Sequence, residues 1–174
     1  MVVNVIVALL CLNLMLTLTS TVTLTFRADA TAVGATHAFN AIGAIFGGLV
    51  AAALPHVSVR SLAGASAALG VGLVLNAAAP SLSVFLLAAP LLGLGVGYYH
   101  GVLNAAAQSS VAPQDLGRAM SFVTIGNYGM VPIGALLIGW VIDVSSGRIA
   151  LLGGGVAALL CAGYVMWSTR RSRG

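Results

Sequence analysis

The sequence contains no lysine and no glutamate. Its ionisable side chains are seven arginines, three aspartates and three histidines, and charged residues make up only 6% of the chain. A soluble domain carries about 25%. With 60% hydrophobic residues in 174, a soluble fold is excluded, because a domain this small leaves a large share of its surface in water. The net charge of +4 does not make a nucleic-acid surface either, since the arginines form no patch with interleaved aromatics. Arg27, Arg60, Arg118 and Arg148 stand singly between apolar runs, and Arg170, Arg171 and Arg173 cluster at the end. The only cysteines, Cys11 and Cys161, each lie inside an apolar run and read as inert thiols rather than as a disulfide or metal site. No metal or cofactor is expected. The N-terminal run lacks a positive n-region and is too long for the apolar part of a signal peptide.

What is present is apolar sequence in long stretches. A spanning helix needs about 20 apolar residues, and six stretches qualify: 4–25, 32–54, 61–79, 82–107, 119–142 and 148–168. The expected fold is therefore an all-α membrane protein, a single domain of six transmembrane helices over residues 1–174, with the lipid bilayer as its first partner. Residues 17–25 alternate threonine with mostly apolar residues, a strand period. A lone strand cannot satisfy its backbone in hydrocarbon, whereas threonine in a helix bonds back to a carbonyl one turn earlier, so a helix is expected. Arginine counts set the orientation: Arg60, Arg118 and the three tail arginines fall on one side, Arg27 and Arg148 on the other. Both termini are thus expected in the cytoplasm.

The glycines at 43 and 47, and at 93, 97 and 101, are spaced four apart and read as helix-packing contacts. Pro90 and Pro132 fall inside spans four and five, where each frees a carbonyl and kinks its helix. Ile42-Gly43-Ala44 with Gly48 in span two matches Ile133-Gly134-Ala135 with Gly139 in span five. The joints that follow repeat Val57, Ser58, Arg60 as Val144, Ser145, Arg148. Spans two and five are each the middle of a triplet, which is the arithmetic of a 3+3 inverted repeat.

Residues 93–143 combine a glycine-rich helix, a short joint with Val111, Pro113, Gly117 and Arg118, then a helix with Pro132, Gly134 and Gly139 and an acidic end at Asp143. In this order they resemble the late part of a major facilitator superfamily half, as found in drug and siderophore exporters. The six spans are then similar to helices seven to twelve of that family. The resemblance implies alternating access, efflux of a small-molecule cargo across the cell membrane, and a second six-helix half or a self-dimer as partner, because family members have two halves. The family's gating motif after its second span is incomplete here, since no acid lies between Gly48 and Arg60. A membrane scaffold subunit without a transport path, or a truncated transporter inactive alone, is the alternative.

No carboxylate lies well inside a span. Intramembrane polar groups are costly and face a bundle interior or a cavity. His100, Asn104 and Gln108 share one face of span four, next to Tyr98, and are the leading candidates for a substrate cavity. His37 with Asn40 in span two, and Asn127 in span five, are further candidates. Asp115 and Arg118, spaced i, i+3, are candidates for a gating ion pair at one end, and Asp143 with Arg148 across the last joint are candidates at the other. An enzyme is not expected: Gly64-Ala65-Ser66-Ala67-Ala68 lacks the second glycine of a nucleophile elbow.

Overall fold

A computed structural model describes residues 13–54, 56–109, 112–129 and 131–171. Among them the chain forms helices joined by short turns. Helix α1 runs Leu14–Ser20 and continues as a wider π turn over Thr21–Thr25; then come α2 (Ala30–Ala52), α3 (Val59–Ala77), α4 (Leu82–Ser109), α5 (Leu116–Tyr128), α6 (Val131–Val144) and α7 (Gly147–Arg171). Four of these, α2, α3, α4 and Gly147–Ser168 of α7, are long and apolar enough to cross a membrane.

The threonine-rich first stretch is helical for the reason anticipated. Thr17, Thr21 and Thr23 donate to the carbonyls of Asn13, Thr17 and Thr19 at 3.0, 2.7 and 2.9 Å, so each hydroxyl is satisfied one turn back within its own helix. The part of this stretch before residue 13, with Cys11, lies outside the described residues. Helix α1 ends at Phe26, and Arg27 reverses the chain with a positive φ of 51°. Asp29 then caps α2 by accepting from the Ala32 N–H at 3.0 Å. Ser58 caps α3 in a reciprocal pair with Ser61, and Ser146 is the residue whose hydroxyl and carbonyl receive the first N–H groups of α7.

The fifth stretch departs from expectation. It was to be one span over 119–142, but it is two short helices of 13 and 14 residues, each reaching only about 20 Å against a hydrocarbon core of ~30 Å. Pro132 explains the interruption. Its ring clashes with the carbonyl four residues earlier and it has no N–H to offer it, and that carbonyl belongs to Tyr128, where α5 stops. Pro90 does not break α4, which runs unbroken through it.

The long helices pack through glycine. A Cβ placed at Gly43 would fall on the Pro90 carbonyl oxygen, one at Gly47 on that of Leu94, one at Gly93 on that of Asn40, and one at Gly97 on that of Ala44. These pairings ascend together, so α2 and α4 run parallel with their backbones in contact. On the opposite side of α4, a Cβ placed at Gly95 would lie 2.7 Å from the Leu69 Cα and one at Gly72 2.7 Å from that of Leu92, an antiparallel pair. Gly70 and Gly155 bring α3 against α7. Leu69, Leu73, Leu92, Tyr99, Val102 and Leu151 fill the centre.

Polarity is distributed inside out. Asn76 and Thr21 are 0% exposed, while Leu136 is 77% exposed and Leu87 76%. An exterior of large apolar side chains around polar groups that donate to backbone carbonyls is the distribution expected when hydrocarbon is the solvent.

Candidate functional site

Helix α4 runs from the end of the bundle where α3 finishes and α7 starts, so its far end and the start of α7 lie at opposite ends. Helices α5 and α6 together carry the chain between them. The end of α5 at Tyr128 and the start of α6 at Val131 therefore lie about midway through the bundle. Asn13, which is buried, donates from its Nδ2 to the Val131 carbonyl at 3.3 Å, tying α1 to the first residue after the break. Tyr128 and Asn127 are the last two residues of α5; the candidate Asn127 is thus next to the interruption.

His100 is half-buried on α4. It shares a helical stripe with Ala89, Val96 and Leu103, of which Ala89 and Leu103 are buried, so this stripe turns inward between the α2 and α3 contacts. Its ring meets that of Tyr99 edge-on with centroids 6.1 Å apart. Asn104 is half-buried one turn on, Tyr98 is half-buried toward α2, and Gln108 is exposed because α4 extends past the end of α2. The stripe of His100, Asn104 and Gln108 accordingly leads from inside the bundle to its surface.

His37 and Asn40 are engaged in helix-to-helix bonds. The Thr19 hydroxyl and His37 Nε2 lie 3.0 Å apart, linking α1 to α2. Asn40 Nδ2 donates to the Ala89 carbonyl at 3.4 Å. Sequence reasoning passed over its counterpart on the other flank of α4: Asn76 donates to the Gly72 and Ala88 carbonyls at 3.0 and 3.1 Å. Two asparagines, from α2 and from α3, thus bracket the turn just before Pro90. Asn13 was also passed over. Both stand alone inside apolar runs, which was the available signal.

Asp115 and Arg118 are both exposed at the start of α5. Arg148 does not turn to Asp143, which is exposed. Its Nη2 donates to the Ala79 carbonyl at 2.8 Å, and its guanidinium lies 5.0 Å from the centre of the Phe26 ring. Phe26 in turn meets Phe85 at 5.4 Å. One arginine therefore gathers the ends of α1 and α3 and the starts of α4 and α7. Its Nε is buried without a partner. Ser66 is buried and donates to the Leu62 carbonyl at 3.0 Å. Among the described residues no three His, Cys, Asp or Glu side chains converge on one point.

Compared with protein-family models, curated proteins and solved structures, the chain finds no match in any of the three.

Proposed function

We propose that the chain is one half of an alternating-access membrane transporter of major facilitator type, crossing the cell membrane six times as two inverted triplets with both termini cytoplasmic. Its cargo is a small molecule moved outward, and the other half is a second chain or a second copy. The observation that carries this reading is the packing of the third helix of each triplet on its mate, α3 on α7; the extensive α2–α4 and α3–α4 contacts also have counterparts, far smaller among the described residues, in α6–α1 and α7–α1. The third helix of each triplet begins with a serine cap and an arginine two residues later, Ser58 with Arg60 and Ser146 with Arg148. Pro132 at the start of α6 supports the same reading, because apolar segments interrupted by glycine or proline are pointers to transport sites. Within it, His100 and Asn104 are the cargo-facing groups.

Efflux of a lipophilic fluorescent dye from proteoliposomes, with this chain alone and with a co-expressed six-helix partner, tests the reading. Dye movement above protein-free vesicles in one of the two conditions, reduced severalfold by His100→Ala, is expected. Equal transport by the variant removes His100 from the path. No movement in either condition favours a second reading, a non-transporting membrane subunit.

A further inference from the structure

The apolar part of α7 ends at Ser168, and the last residues before that point are aromatic and outward-facing. Tyr164 is 62% and Trp167 51% exposed, their ring centroids 6.4 Å apart. Tyrosine and tryptophan at the edge of an apolar segment sit at the level of the lipid headgroups. One turn further, the Arg171 guanidinium lies 3.9 Å from the centre of the Trp167 ring. So close an approach sets the cation against the ring face. The donors of a guanidinium lie in its plane, so stacking holds the group in place while leaving its edge for a bidentate acceptor such as a phosphate.

Other cations gather at the same end. Helices α3 and α7 are antiparallel, as the Gly70–Leu159 contact near their middles and the Ala79–Arg148 bond at one end require. The exposed Arg60, in the first turn of α3, therefore lies at the level of Arg171. Arg118, also exposed, opens α5 at this end. Asp29 and Asp143 belong to the opposite end, and Asp115 is on the turn preceding α5.

We propose that the corner formed by Trp167 and Arg171 of α7 with Arg60 of α3 binds the headgroup of an acidic phospholipid. Trp167 and Tyr164 contact the glycerol and upper acyl region, and Arg171 and Arg60 hold the phosphodiester. This inference rests on the chain being a membrane protein and is independent of transport.

The test uses the full chain carrying Trp140→Phe, so that Trp167 is the sole tryptophan, purified in a neutral detergent and titrated with short-chain phosphatidylglycerol while its emission is followed. A saturable change is expected with phosphatidylglycerol and none with phosphatidylcholine of the same chain length or with glycerol phosphate. Arg171→Ala is expected to weaken binding about fivefold, the effect of one arginine near an acidic surface. Arg60→Ala, on a different helix, is expected to do likewise, which keeps the test valid if the end of α7 frays. Arg27→Ala, at the far end, should bind as the parent does. The proposal is overturned if phosphatidylcholine or glycerol phosphate matches phosphatidylglycerol, if Arg171→Ala and Arg60→Ala both bind as the parent does, or if Arg27→Ala loses as much as they do.

Discussion

At the scale of single residues, the polar side chains of this protein act as ties between helices. Asn76 reaches the Ala88 carbonyl, Asn40 that of Ala89, Asn13 that of Val131 and Arg148 that of Ala79. Each side chain meets the backbone of another helix near a point where the regular ladder is weakened, by Pro90, by Pro132 or by a helix end. Arg148 is the most consequential, because its carbonyl bond and its stacking on Phe26 hold one end of the bundle. Arg148→Ala is expected to destabilise the protein by about 1–2 kcal/mol, the range for a partly desolvated cation–π contact. Denaturation in mixed detergent micelles would measure it. In a double-mutant cycle, Phe26→Ala should cost less once Arg148 is gone, the remainder being its lost contact with Phe85; full additivity would show that Arg148 and Phe26 do not interact.

At the scale of elements, glycine sets how closely the helices approach and proline decides where one stops. Gly97→Val places a branched side chain where the Ala44 carbonyl oxygen lies, and is expected to cost roughly 1–3 kcal/mol or more by overpacking. Gly153→Ala, with nothing within 4 Å of a new Cβ, should be silent. Thermal unfolding of the two variants compares them directly. Pro132→Ala restores an N–H that can bond the Tyr128 carbonyl, so α5 and α6 should join into one helix. Hydrogen exchange at the new residue-132 amide should be slow; fast exchange there would mean that something other than the proline keeps α5 and α6 apart.

Much of this level was legible in the chain. The edges of spans two, three, four and six fell within three residues of the helices, because Asp29, Ser58, Pro80 and Ser146 punctuate long apolar runs and leave little choice. The glycines spaced four apart were readable as packing surfaces for the same reason. The break in span five was only half legible: Pro132 announced a disturbance, but apolar sequence on both sides concealed that it would divide the span. The partners of Arg148 were not legible. Its nearest acid in sequence, Asp143, was the natural guess, whereas Ala79 and Phe26 are brought to it only by the antiparallel pairing of α3 with α7 and by the turn at Arg27. His37 and Asn40 looked like cavity groups for a similar reason, since a helix face reveals that a polar group points inward but not which neighbour meets it.

At the scale of the whole molecule, the account turns on the chain passing through the bilayer at α5–α6, despite neither helix being long enough alone. The two triplets then run in opposite senses, with Arg60, Arg118 and Arg171 at one membrane face and Arg27 and Arg148 at the other. The most direct measurement is the sidedness of single cysteines introduced at exposed turn positions, Ala53→Cys, Ser81→Cys, Gln114→Cys and Ser145→Cys, in a chain whose own two cysteines are replaced by serine. Intact cells would be treated with a maleimide that cannot cross membranes. The account predicts that the cysteines at 81 and 145 label from outside and those at 53 and 114 only after the membrane is opened. Labelling of 114 and 145 from the same side would make α5–α6 a hairpin that enters and leaves by one face, and would contradict the inverted repeat on which the proposed function stands.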